Sequence, residues 1–300
     1  GFNTEASGQS SHTEGYLSLA SGEAAHAEGY HTIASGDNSH TEGRDTIASA
    51  YQSHAEGLTT YAGQYWSHVE GERTVTFTAS TNPLAGSHAE GTNTTAGARK
   101  FSGELVSNVL TLSGINATTF FSTDDEVLLY GNSAYYTRTP ISVTFSDPDT
   151  IIEFAGGLDD GTYVVYGAVG GGANAHAEGQ GTTAYGNNSH AEGEETIVGG
   201  LSAHGEGKQV RVLGAYSHGE GYRGYVDSPY GHTEGVACVV RSPTFEAEGG
   251  HAEGNSTTAG AYRFQVEVIN QEFTISGDVT EWFNDQVQAL FIYDDGTPHY

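Results

Sequence analysis

Apolar positions along most of this chain are small, evenly spaced and never fall on a helical period. Around a recurrent histidine the pattern runs Ser-His-Ala-Glu-Gly, then, after two residues, Thr-x-Ala-x-Gly. The residue before the histidine is Ser or Ala in ten of twelve cases, as at Ser39, Ser53 and Ala175. Six residues after it come Ser18, Thr32, Thr46, Thr60, Thr94, Thr182, Thr196 and Thr257, and eight after it Ala20, Ala34, Ala48, Ala62, Ala96, Ala184 and Ala259. Alternation with period two in short segments cut by glycine predicts two short strands per repeat. Side chains alternate across a strand. One face is thus uniformly small (Ser/Ala, Ala/Thr, Gly, then Thr and Ala) and suits a thin, tightly wound interior. The other face carries His and Glu. A helix is excluded, because glycine at this frequency destroys helical stability.

The repeat is His-x-Glu-Gly, twelve times. The pairs are His12 with Glu14, His26 with Glu28, His40 with Glu42, His54 with Glu56, His68 with Glu70 and His88 with Glu90. They resume as His176 with Glu178, His190 with Glu192, His204 with Glu206, His218 with Glu220, His232 with Glu234 and His251 with Glu253. Within each set the first five are 14 residues apart, and the sixth follows after 20 residues in one set and 19 in the other. A fixed short period predicts a solenoid whose coils bury surface only by stacking. At a coil spacing of about 4.8 Å, the repeats form parallel ladders of histidine and glutamate. One further rung is expected at Glu246-Ala247-Glu248-Gly249, with Glu in place of His.

A longer repeat overlies the short one. The segment from His88, HAEGTNTTAGARKFSGELVSNVLTLSG, matches HAEGNSTTAGAYRFQVEVINQEFTISG from His251. This divides the chain into a first array over 1–100, an inserted domain over 101–172, a second array over 173–263 and an incomplete second copy of the inserted domain over 264–300. The insert has lost the short period and shows strand-like runs at Glu104–Leu112, Glu126–Tyr130, Ser142–Phe145, Thr150–Phe154 and Thr162–Tyr166, with turn signals between them. It reads as a small antiparallel β domain, a sandwich or open barrel, that interrupts a stiff shaft.

Composition keeps the all-β reading and narrows the partners. The chain has 43 glycines, but also 18 tyrosines and 12 phenylalanines, and disordered chains lack aromatics. A net charge of −28, with 38 acidic against 10 basic residues, argues against nucleic acid or an anionic membrane surface as partner. No apolar run is long enough for a transmembrane helix. The absence of methionine leads us to expect a fragment or processed product. Cys238 stands where other repeats have Thr or Ser, which predicts a small buried residue and not a nucleophile.

The candidate chemistry is sparse. His-x-Glu lacks the helical metalloprotease spacing, and no third ligand is specified, so neither metal nor cofactor is expected. Asp124, Asp125, Glu126, Asp159 and Asp160 are glycosidase carboxylates by residue type only, each at a turn where solvation is the ordinary fate. No enzymatic activity is expected. Aromatics in the insert (Phe120, Phe121, Tyr135 and Tyr136) suit either carbohydrate binding or core packing.

Ser53-His54-Ala55-Glu56-Gly57 and its repeats resemble the Ser-Val-Ala-Ile-Gly repeats of YadA-like trimeric autotransporter adhesin heads, over about 190 residues. The His-Ala-Glu-Gly variant is more similar to repeats in bacteriophage tail-fibre proteins. The departure is that His and Glu replace the two apolar residues. The resemblance implies a left-handed parallel β-roll, a parallel homotrimer, and a His/Glu face turned to the trimer axis. There, His⁺–Glu⁻ hydrogen bonds between chains would satisfy both groups and fix register. It further implies a structural fibre segment of an extracellular phage tail fibre or tail appendage acting in host-surface attachment. Its partners would be itself and a cell-surface glycan or protein receptor. A bacterial cell-surface adhesin or extracellular fibre is the alternative, and a glycan-degrading tail spike the third.

Overall fold

A computed structural model describes residues 1–78, 86–167, 172–241 and 249–260, together with four short strands nearer the C-terminus. The protein is all-β. Each coil gives one strand to a 12-stranded parallel sheet, beginning at the motif histidine, and one to a 13-stranded parallel sheet containing the Ala column. Register is set by the motif: His54 pairs with His68, Ala55 with Val69, Glu56 with Glu70 and Gly57 with Gly71.

The interior is as narrow as the sequence pattern requires. Ala20, Ala34, Ala48, Ala62, Ala96 and Ala184 are fully buried, and so are Thr32, Thr46, Thr60, Thr94 and Thr182. A single apolar column of mostly Ala and Val runs from Ala48 to Ala252. Serine before the histidine does more than fit. Ser53 Oγ donates to the Ala50 carbonyl at 2.7 Å and Ser67 Oγ to the Gln64 carbonyl at 2.7 Å, closing the turn three residues back. Cys238 is buried in this column, its Sγ 3.1 Å from the Glu234 carbonyl.

The motif glycine corrects the expectation that it lines the interior. Gly57 is exposed, at φ +108°, and a Cβ there would run into the carbonyl oxygen of Gly71 in the next coil. Glycine is required because coils approach most closely at this point and the backbone has positive φ, which side chains disfavour. Most coils also bend at two non-glycine residues in the left-handed region, such as Gln52 (φ 52°) and Thr59 (φ 57°), with Gly181 at one such bend. Their amides donate to the preceding coil, to the Asp37 and Arg44 carbonyls, both at 2.9 Å.

The inserted segment does not interrupt the shaft. His88 pairs directly with His176, and Thr95 with Thr183, so the two arrays form one continuous stack. The chain leaves and returns at one place, where Arg99 pairs antiparallel with Gly167. The extra rung expected at Glu246–Gly249 is likewise corrected. Residues 242–248 lie outside the described residues, but His232 pairs directly with His251, leaving no rung between them.

The insert is one seven-stranded antiparallel sheet. In spatial order its strands are Ala134–Arg138, Val127–Gly131, Gly161–Gly167, Arg99–Val106, Val109–Leu112, Asp149–Phe154 and Pro140–Ser146. The run Glu104–Leu112 is two strands joined by a tight turn at Ser107-Asn108 (φ 52° and 67°). Period-two alternation gives the sheet two buried faces. Phe101, Leu105, Leu110, Val127, Leu129, Tyr163 and Val165 build its own core. Leu128, Tyr130, Tyr135, Val164 and Tyr166 pack with Tyr61, Val75 and Phe77 of the solenoid. Near the C-terminus, Glu267↔Thr274, Val268↔Phe273 and Ile269↔Glu272 repeat the register of Glu104↔Thr111, Leu105↔Leu110 and Val106↔Val109.

Candidate functional site

The twelve motif histidines form one uninterrupted column. Successive rings lie 4.5–5.1 Å apart from His12 to His251, across the junction between the arrays, where His88 and His176 are 4.9 Å apart. Most pairs are stacked, His68–His88 is tilted and His232–His251 is edge-on. Parallel register causes this: identical residues pair in every rung, so like rings stack at the strand spacing.

Glutamate stands beside each ring on the same strand face. The His Nε2 to Glu Oε2 distance is 3.6 Å in His54–Glu56 and His190–Glu192, and 3.9 Å in His176–Glu178. These distances exceed a hydrogen bond. Ten Nε2 atoms, those of His26, His40, His54, His68, His88, His176, His190, His204, His218 and His232, are buried with no hydrogen-bond partner among the described residues.

At four of the motif histidines the electrostatics favour the neutral ring. Burial lowers the pKa of His54, His88, His176 and His190 below 6.5, and neighbouring histidines lower it further, against a smaller opposing pull from nearby glutamates. Within one chain no imidazolium–carboxylate hydrogen bond forms at the pairs His54–Glu56, His176–Glu178 and His190–Glu192. The ring is too far from its own glutamate, and a column of like charges resists protonation.

The ladder brings potential metal ligands together. His54, Glu56 and His68 offer donor atoms within 4.8 Å of one another, as do His176, Glu178 and His190, and His190, Glu192 and His204. The histidine rings of these groups are stacked at 4.5–4.8 Å, and chelation needs lone pairs that converge at about 2.0–2.1 Å from one ion.

The remaining sequence candidates disperse. Asp124, Glu126, Asp159 and Asp160 are exposed, whereas Asp125 is only 6 % exposed, correcting the expectation of solvation. The four insert aromatics all make packing contacts, and Tyr135 also lines a cleft. Phe121 lies in the insert core and Phe120 against it, Tyr136 packs beside Tyr163, and Tyr135 donates its hydroxyl to the Thr59 carbonyl of the solenoid at 3.1 Å.

Two features were missed at the sequence level. The turns carry exposed aromatics that stack between coils: Phe2 on Tyr16, Tyr16 on Tyr30, and Tyr216 on Tyr230. Their 14-residue spacing was the available signal. The second is a cleft of about 570 Å³ between insert and solenoid, lined by Arg73, Asn93, Lys100, Tyr130, Tyr135 and Tyr166 among others. No sequence pattern marks it, because its residues come from separate rungs and strands. No known family model matches the chain, and no curated protein does so either.

Proposed function

We propose that this chain is a structural shaft segment of an extracellular attachment fibre, a phage tail fibre or related tail appendage, assembled as a parallel homotrimer around its His/Glu column. The observation that carries this reading is the row of ten buried Nε2 atoms without partners. A buried polar group left unsatisfied costs about 1–3 kcal/mol, so ten aligned ones call for a partner of the same periodicity. A second copy in parallel register supplies glutamates at the same rung spacing. Neutral imidazole donating Nε2–H to a neighbouring chain's carboxylate satisfies both groups and carries no penalty from stacked positive charges. Pairing rung by rung would also fix the register between chains.

The thin interior supports the same reading, since a coil filled with Ala, Thr and Ser buries little apolar area and gains from further burial between chains. The repetitive stacked architecture and the exposed stacked aromatics on its turns support the attachment reading. A bacterial surface adhesin would use the same assembly. A glycan-cleaving tail spike gains no support from Asp124, Asp125, Glu126, Asp159 and Asp160, none of which lines the cleft.

The test is to replace one rung with the apolar pair of the adhesin-type repeat, His54→Val with Glu56→Ile. The trimer mass is expected to persist while the melting temperature shifts, because an interchain polar layer becomes an apolar one. Unchanged melting would remove the ladder from the interface.

A further inference from the structure

The cleft between insert and solenoid is electrostatically out of place. The chain has 38 acidic and 10 basic residues, yet the cleft is lined by Arg73 and Lys100 and by no aspartate or glutamate. Lys100 is half-buried, and its Nζ donates to the Asn93 carbonyl at 3.0 Å. Among the described residues no carboxylate pairs with it. Burial holds its pKa below the ordinary lysine value, the mark of an ammonium short of compensation. Arg73 sits on the turn above with an exposed guanidinium, touching Glu72 at 3.3 Å. Desolvating a cation without a counter-charge is unfavourable, and a bound anion removes that penalty.

The other walls indicate what the anion is attached to. Tyr130 and Tyr135, both half-buried, present aromatic surface, with Tyr166 buried at the wall behind them, and Asn93 and Ser102 present polar groups. A hydroxylated ring fits such a surface, stacking its C–H face on an aromatic while its hydroxyls meet polar groups. The volume of about 570 Å³ falls within the range of small-molecule sites, about 300–1,000 Å³. The site stands where insert and shaft meet, a common place for ligand pockets.

We propose that this cleft binds an anionic sugar, with its carboxylate or phosphate held between Lys100 and Arg73. This names a receptor chemistry for the attachment reading and rests on that reading only for its biological setting.

The experiment is a ligand-observed NMR titration of the full chain with glucuronate, glucose 6-phosphate and glucose. Saturable binding of at least one acidic sugar is expected, tenfold or more tighter than glucose. The two acidic probes distinguish a carboxylate from a phosphate receptor. Lys100→Met is expected to weaken that binding at least tenfold, with an unchanged far-ultraviolet circular dichroism spectrum. Arg73→Gln, on an exposed turn, is a second variant that does not burden the fold and is expected to weaken binding several-fold. Equal binding of glucose, full affinity in both variants, or no saturable binding of any of the three would overturn the proposal. Oligomeric mass is measured on the same samples, so a trimer that binds no sugar counts against the site alone.

Discussion

The motif assigns a different physical task to each of its positions. Histidine and glutamate face outward, the residue between them is buried, and glycine permits close approach of the next coil. Gly57→Ala should therefore destabilise by about 3 kcal/mol or more, combining positive-φ strain with a backbone clash. The denaturant midpoint measures this, and a midpoint like that of the parent would contradict it. The threonine column behaves in the opposite way. The Oγ1 atoms of Thr46, Thr60, Thr74, Thr94 and Thr182 are buried without hydrogen-bond partners, and Val210 already occupies the equivalent place in its rung with full burial. Thr60→Val should therefore stabilise by about 1 kcal/mol, seen as a higher midpoint.

Histidine titration carries a definite sign. The pKa values of His54, His88, His176 and His190 are lowered in the folded chain. As pH falls below 6.5 the unfolded chain takes up protons first. Their stabilisation is complete above that pH and is lost as pH falls toward the folded values. Between about pH 7.5 and 5 the parent should lose more thermal stability than a variant with these four changed to glutamine. An equal loss in both would refute neutral stacking.

At the scale of elements, the periodic parts were legible and the aperiodic junctions were not. Two strands per coil, the small interior and the His/Glu face all follow from a period-two pattern repeated every 14 residues. The two turns per coil did not show, because residues as unlike as Gln52, Thr59 and Trp66 occupy the left-handed region there. Stacking hydrogen bonds impose that conformation, so no residue type announces it. The strand Ala134–Arg138 was missed for a related reason: its turn, Asn132-Ser133 (φ 52° and 63°), lacks the usual glycine. Nor could the pattern show that the insert is a lateral excursion, because direct pairing of His88 with His176 is a fact of three dimensions. That pairing makes a prediction. Removing residues 97–170 restores a 14-residue spacing between these histidines, so the deletion should keep the β-solenoid circular dichroism spectrum. Exposure of Tyr61, Val75 and Phe77 should lower its solubility. A disordered spectrum would show that the insert is needed for the stack.

For the whole molecule, the candidate site was visible in sequence as a ladder of His and Glu, but the lowered pKa of rings such as His54 and His190 was not. The resemblance implied charged pairs between chains. The structure gives a twelve-ring stack in which seven rings have their own glutamate 3.6–3.9 Å away and ten Nε2 atoms have no partner among the described residues. An assembly that provides those partners once per rung turns a weakly cored coil into a stiff fibre. The insert then rides on the side of the shaft, holding its cleft against the rungs. Light scattering on the purified chain at neutral pH tests this most directly. A particle of three times the 31.5 kDa chain mass is expected. A stable monomer at micromolar concentration would contradict it.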